Sequence, residues 1–459
     1  MGLRRNWVRV LCGALLALVG GLNASTVQAQ LVPGAGVIVD ANGVLRTEVY
    51  QDPTGQLMRE RVQAAKSILA ADLAKPSKLR KVSLNRLEKA IEAQHANDRK
   101  PTDEMKYLAG LTRIQYVFFY PDSGDIVIAG PAEGYVPDLS GRVVGLNSGR
   151  PVLELQDLVA AMRAYAPGQT SGPVVGCSID PTQEGLQRMQ DFLRQHGGQA
   201  TPNDTQYIVD NLRTSLGLQT VRIMGVNPTT HFAQVLVEAD YRMKLIGIGL
   251  EPPQIRMTTF IDKADPSSVR NALFRWYFVP DYKCVRVSED AQAMELVGDG
   301  VKLVDEKEVV LDNGKRAIAA GEVNRASLLF TNAFTQKYAE LAAKKPVYAQ
   351  LRNLIDMVVA AAYIQQQDYY GKADWQMPTF MNEEKYPIET YRAPVQVDTV
   401  VTSVWKGNRL LTPVAGGVTI QPRMALSTEN QLDDEKGLTA KAKAATTLDG
   451  LKPGQWWWD

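Results

Sequence analysis

The sequence predicts an α+β protein: mixed α/β domains, a β-meander and a C-terminal helical hairpin. Three observations lead there. Short β-branched and aromatic runs are paired around turn residues, at Asn42-Gly43 and at Pro121-Asp122-Ser123-Gly124. From Val152 onward, apolar stripes at helical spacing alternate with strand-like apolar runs. Late in the chain two stripes meet across Lys344-Lys345-Pro346, a connection so short that the helices must run antiparallel.

The first 29 residues stand apart. Arg4, Arg5 and Arg9 supply positive charge, residues 8–22 are mostly Val, Leu, Ala and Gly, and Val27-Gln28-Ala29 fits the small-x-Ala rule of a signal peptidase. The apolar run falls short of the roughly 20 residues of a membrane-spanning helix. The expectation is a cleaved signal peptide, a mature chain from Gln30, and an exported protein of the periplasm or the exterior. Cys12 lies within the apolar run rather than at its end, which argues against a lipid anchor. No transmembrane segment is expected after signal cleavage.

The elements follow in order. Residues 36–49 read as a hairpin, because Asn-Gly accepts the positive φ angles of a tight turn. A long helix opens at Pro53 with Leu57, Ala64, Ile68 and Leu69 on its stripe, and a second carries Leu84, Leu87 and Ile91. Residues 116–129 form a second hairpin. Leu155, Leu158, Val159 and Met162 mark a helix, and residues 173–177 a buried strand. Asp180-Pro181 is a helix start, with Asp as cap and Pro at the first helical position. A helix over 204–216 and a strand at 221–223 come next. Phe232, Val235, Leu236, Ala239 and Met243 then share one helical face.

Between Trp276 and Ile318, short strands separated by Gly298-Asp299-Gly300 and Asp312-Asn313-Gly314 read as the meander. Phe330, Phe334, Tyr338 and Leu341 stripe the first helix of the hairpin; Leu351, Leu354, Ile355 and Val358 stripe the second. Strand-like stretches at 395–405 and 417–420 close the fold. The expected divisions are a signal peptide (1–29), an N-terminal α+β domain (30–151), a mixed α/β domain (152–275), a meander-plus-hairpin domain (276–425) and a flexible polar tail ending in a Trp cluster (426–459).

Charge excludes some functions. Of 51 Lys and Arg, three leave with the signal, against 50 Asp and Glu. A near-neutral chain without basic runs argues against nucleic acid as a partner and gives no support to membrane-surface binding. Two cysteines survive processing, Cys177 and Cys284. In an oxidising compartment they could form a disulfide; the alternative is two buried, reduced thiols on separate strands.

Two stretches carry a family resemblance. One contains Phe334-Thr335, Tyr338, Leu341-Ala342 and Pro346-Val347-Tyr348-Ala349-Gln350-Leu351-Arg352-Asn353-Leu354; the other runs from Val237-Glu238-Ala239-Asp240-Tyr241-Arg242-Met243-Lys244 to Gly247-Ile248-Gly249-Leu250-Glu251-Pro252. With the export signal and the late Gly416-Gly417-Val418, they resemble an uncharacterised family of exported planctomycete proteins, known only as a domain of unknown function. The resemblance implies no chemistry and no site residues.

Cys177 is the sharpest candidate nucleophile, since it ends an apolar strand shortly before a helix start, where amides can stabilise a thiolate. Gly176-Cys177-Ser178-Ile179-Asp180 lacks the second Gly of a nucleophile elbow, and His95, His196 and His231 stand at no recognised spacing from it. Three histidines and no His-Glu-x-x-His point to no metal. His231, at a helix start, is expected to be neutral. Glu238 and Asp240 point about 200° apart on a helix and cannot share a substrate, whereas Glu238 and Arg242 suit a surface ion pair. Gly247-Ile248-Gly249 lacks the third Gly of a dinucleotide fingerprint and no phosphate loop occurs, so no cofactor is expected.

Trp456-Trp457-Trp458 cannot all face one core from a regular element, so a binding role, toward an envelope protein or polysaccharide, stands beside a tail folded onto its own domain. The reading is a non-catalytic binding or structural protein of the envelope or exterior. The alternative is an exported hydrolase using Cys177 or an unrecognised carboxylate pair.

Overall fold

The first elements in the computed structural model are β1 (Val37–Val39) and β2 (Val44–Thr47), the expected hairpin, with Val39 opposite Leu45. The structure describes residues 36–459 except 49, 51, 197–200, 265–271, 282, 311–315, 319–323 and 402–413. The segment expected to be a signal peptide and part of the strand expected at 395–405 lie outside the described residues. At the hairpin turn Gly43 takes the left-handed conformation (φ 77°) and Asn42 does not. Asp40 Oδ1 accepts from the amides of both Asn42 and Val44, which shapes a wider loop than a two-residue turn.

The helix expected after Pro53 is split into α1 (Gln56–Ile68) and α2 (Ala71–Ala74). Then come β3 (Ser77–Ser83), which the sequence did not announce, and α3 (Leu84–His95), which buries Leu84, Leu87 and Ile91. After α4 (Asp103–Lys106), β4 (Tyr116–Tyr120) and β5 (Asp125–Ala132) form the second hairpin. A small pair, β6 (Tyr135–Pro137) and β7 (Val143–Gly145), leads to α5 (Leu155–Ala164) and β8 (Val175–Asp180). The helix start expected at Asp180-Pro181 is displaced: β8 runs through Asp180, and α6 (Gln183–His196) begins after Thr182, whose Oγ1 accepts from Gly185 N. Asp180 is held instead by Arg275 at 3.0 Å.

Next are α7 (Thr205–Leu216), β9 (Gln219–Met224), α8 (His231–Gly247) and α9 (Phe260–Lys263). Five strands follow: β10 (Ala272–Pro280), β11 (Val285–Val287), β12 (Ala293–Leu296), β13 (Val301–Val310) and β14 (Arg316–Ile318). The helical hairpin is α10 (Arg325–Gln336) and α11 (Tyr338–Lys344), one stripe broken at Lys337, then α12 (Pro346–Gln366) and α13 (Tyr369–Lys372). The chain closes with β15 (Gln396–Val397), β16 (Val414–Ile420), α14 (Pro422–Ala425), α15 (Leu438–Ala444) and β17 (Trp457–Trp458).

These elements make an α+β fold. A nine-stranded mixed sheet runs β1-β2-β15-β9-β8-β16-β10-β13-β14, and a six-stranded antiparallel sheet runs β11-β12-β4-β5-β3-β17. The expected meander is therefore two different things. β10, β13 and β14 are antiparallel neighbours in the larger sheet, while β11 and β12 leave it to pair with β4, Ala293 lying opposite Phe118. The split lies in backbone pairing rather than in the core, since Trp276, Phe278, Val285, Met294 and Leu303 all belong to one apolar cluster. The expected boundaries near 151, 275 and 425 do not separate sheets either, because both sheets recruit strands from across the chain. The tail expected to be a flexible polar segment carries α15 and β17, and β17 pairs with β3.

The core is organised around two helices. Every residue of α12 from Val347 to Ile364 is buried, and α8 is buried except at Arg242 and Leu245. A helix buried all round is a core element, and each large apolar side chain it removes from water stabilises the fold by roughly 1.5–3 kcal/mol, an upper figure. Between β8 and β10, β16 has no room for side chains at Gly416 and Gly417: a Cβ there would lie 2.2 Å from Trp276 O and 2.3 Å from Cys177 O. Among the described residues no helix is long and apolar enough to cross a membrane.

Candidate ligand-binding site

Two buried polar systems flank α12. The first links it to α8 and α5. His231, Glu238 and Arg242 lie on one face of α8, seven and four residues apart. His231 Nδ1 is 2.8 Å from Asp157 Oδ2, and its Nε2 is 3.8 Å from Glu154 Oε1. Arg142 donates to Glu238 at 2.5 Å and to Gln350 Oε1 at 2.7 Å. Arg242 donates to the other Glu238 oxygen at 2.7 Å and to Glu251 at 3.0 Å, and Lys345 closes the chain on Glu251. Four carboxylates thus face Arg142, Arg242, Lys345 and His231, and the system is neutral when His231 is charged.

The environment of His231 favours that charge. Burial pulls its pKa down, but the carboxylates of Asp157 and Glu154 outweigh burial and push it up to about 10. The Gln350 amide nitrogen, turned toward Nε2 because its oxygen is held by Arg142, sits 3.5 Å away and does not offset two negative charges. The neutral histidine expected from the helix start is therefore corrected: the helix end is a partial charge, and two carboxylates are whole ones. Glu154, Asp157 and His231 bring ligand atoms within 4.8 Å of one another, a convergence the absence of metal motifs did not foresee. With Nδ1 donating to Asp157, the imidazolium already supplies the positive charge there. Glu238–Arg242 forms as the spacing predicts, but as a buried pair rather than a surface one, since Glu238 is 1% exposed.

The second system is not closed. On the other flank of α12 lies a pocket of about 370 Å³, lined by Arg113, Arg352, Arg150, Gly298 and Asp299 together with Ala339, Ala342, Ala343 and Ala349. Arg113, just before β4, donates from Nε to Asp356 at 2.9 Å and from Nη1 to Gly298 O at 2.6 Å; its Nη2 is buried without an acceptor. Arg352, one turn before Asp356 on α12, is 7% exposed. Its Nη1 lies 3.8 Å from Asp299, beyond hydrogen-bond distance, and its Nε is buried without a partner among the described residues. Burial and the neighbouring Arg113 hold its pKa below the ordinary arginine value. Buried guanidinium groups are normally hydrogen-bonded, so one lining a pocket without a hydrogen bond marks a place built for something else.

The residues singled out from the sequence lie elsewhere. Cys177 is fully buried in the middle of β8, between β9 and β16, and burial with nearby Asp240 pushes its thiol well above the ordinary range. This environment opposes the thiolate that a nucleophile needs. The possible disulfide is also corrected: Cys177 and Cys284 are both free and buried, Cys284 standing before β11 of the other sheet, because the two strands serve different sheets. Asp240 forms a fully buried pair with Lys244 at 2.9 Å, turned away from Glu238 as the helical angle requires.

The Trp cluster is folded onto its own chain. Trp457 and Trp458 form β17 on the edge of the six-stranded sheet, Trp458 packs with Phe118 and Val127, and Trp456 is 6% exposed. Arg80, wholly buried, stacks 4.6 Å from the Trp457 ring centroid and binds the Asp459 carboxylate through Nε at 2.8 Å and Nη2 at 3.0 Å. Of the two readings of Trp456, Trp457 and Trp458, this placement supports the tail folded onto its own chain. Arg113, Arg352, Asp356 and Asp299 were missed as site residues; the one signal in the sequence was Arg352 and Asp356 as the only charged residues of a mostly apolar helix.

Residues 177–260 match a protein family of unknown function, DUF1598. The matched segment runs from Cys177 in β8 to Phe260 at the start of α9. It includes 237–252, one of the two stretches that carry the family resemblance, but not the helical hairpin. It supplies His231, Glu238, Arg242 and Glu251 to the closed network and none of the pocket arginines. No curated protein and no solved structure matches the chain.

Proposed function

We propose that this chain is a non-catalytic binding protein, exported to the periplasm or exterior, that holds a small molecule in the pocket beside α12. The observation that carries the reading is the buried Arg352 guanidinium on the pocket wall, which makes no hydrogen bond among the described residues and has only the 3.8 Å ion pair to Asp299, next to the free Nη2 of Arg113. Binding a ligand there would offset the desolvation of those donors. The pocket wall includes no Cys, Ser or His to act as nucleophile. Burial of Cys177 removes the support for a hydrolase based on that thiol. Export is supported by Arg4, Arg5, the apolar run and Val27-Gln28-Ala29.

The test is native mass spectrometry of protein purified from its own compartment, before and after prolonged incubation. A chain starting at Gln30, carrying one bound compound that is released chemically unchanged, is expected. Conversion of the bound compound during incubation would make the protein an enzyme, and an N-terminus still at Met1 would remove export.

A further inference from the structure

We infer that the pocket takes a singly charged carboxylate on a short aliphatic body, gripped by Arg352 and Arg113; the inference rests on the binding reading above. Charge sets the valence. Arg113, Arg352 and the exposed Arg150 face Asp356 and Asp299, which leaves one positive charge in surplus. Glu295, also on the wall, is already taken up by Arg286 and by the Tyr116 hydroxyl. A monoanion neutralises the site. A phosphate dianion would overshoot and place its second charge near Asp299 and Asp356.

Hydrogen bonding sets the head group. Arg113 has spent Nε and Nη1, leaving Nη2, and no hydrogen bond is made by Arg352 among the described residues. A carboxylate is acceptor-only, with two oxygens that can each take a donor from a different guanidinium. The apolar part of the lining sets the body. Ala339, Ala342, Ala343 and Ala349 offer methyl groups and no side-chain donor or acceptor, so they fit methylenes. A volume of about 370 Å³ admits only a small molecule.

Calorimetric and thermal-shift titrations of the mature chain test this with acetate, butyrate and hexanoate, against inorganic phosphate, sulfate and butylamine. Affinity should rise by about fourfold per methylene from acetate to butyrate, with phosphate and sulfate weaker and butylamine silent. Arg352→Gln should weaken butyrate binding roughly 10- to 100-fold. Ala343→Leu, at an exposed position on α11, should keep the fold by circular dichroism and lose hexanoate.

The assignment is overturned if no carboxylate binds, if the inorganic anions bind more tightly than every carboxylate, or if either variant, still folded, binds as before. A neutral compound found in the pocket of the native protein would overturn the carboxylate assignment and leave the binding reading standing.

Discussion

Replacing Arg352 with Met should make the ligand-free protein more stable, the reverse of what removing a structural arginine does. In the folded chain the Arg352 guanidinium is 7% exposed and its Nε has no partner. Leaving a buried polar group unsatisfied costs roughly 1–3 kcal/mol, more for a charged one. What is lost with the charge is its attraction to Asp356 and, more weakly, to Asp299. Asp299, 3.8 Å away and 40% exposed, contributes at most about 1 kcal/mol as a partner. Asp356 keeps its 2.9 Å bond from Arg113, and Arg113 is freed of a like-charged neighbour. Met fills much of the volume of the arginine stem, so packing along α12 is retained. The balance is a gain of about 1–2 kcal/mol. In a chain of this size that is a rise of a few degrees in Tm. Urea unfolding in ligand-free buffer measures it as a higher midpoint at unchanged m-value. A loss of more than about 1 kcal/mol would refute the reasoning and show that the attraction to Asp356 outweighs the unsatisfied guanidinium. Higher stability without binding is the trade-off expected where a site is kept strained for a ligand.

Three further outcomes follow from the buried charges and thiols. His231 has its pKa raised from 6.5 to about 10, so its contribution is full below about pH 6.5 and is lost as pH rises through about 10. Urea midpoints should fall over that window, and His231→Gln should flatten the fall; an unchanged slope would show that the histidine is neutral. Asp459→Asn should cost about 1–2 kcal/mol, less than the 3–5 of a fully buried pair because Asp459 is 36% exposed and Arg80 keeps carbonyl acceptors at Ala109 and Lys75. Arg80 depresses the Asp459 pKa against the effect of burial, so the same latch should weaken as pH falls below about 4, read by Trp fluorescence; no change in either measurement would refute it. Cys177 and Cys284 should resist a mild thiol reagent in the native protein and react fully in denaturant without prior reduction; rapid native labelling of Cys177 would return it as a candidate nucleophile.

How far the sequence could be read depended on distance along the chain. The stripe Leu155, Leu158, Val159 and Met162 became α5, and the stripe from Phe232 to Met243 became α8, because a 3.6-residue period is written in contiguous residues. The hairpins at 37–47 and 116–132 were legible for the same reason, each strand lying one turn from its partner. Spacing also foretold that Glu238 would meet Arg242 and turn away from Asp240.

Depth and long-range pairing were not written locally. An i,i+4 pair looks the same on a surface and in a core, and only the packing of α12 and α5 against α8 decided that Glu238 would be buried. β12 pairs with β4 across more than a third of the chain, and β17 with β3 across about four fifths of it, so sheet membership is not written in neighbouring residues. The pocket is the extreme case. Arg113, Asp299 and Arg352 come from a loop, a turn and a helix far apart in sequence, and share no motif. Sequence alone determined the elements, because their hydrogen bonds and apolar periods close within a few residues. Tertiary structure decided the site, because a buried charge acquires its meaning from neighbours that only the folded core brings within reach.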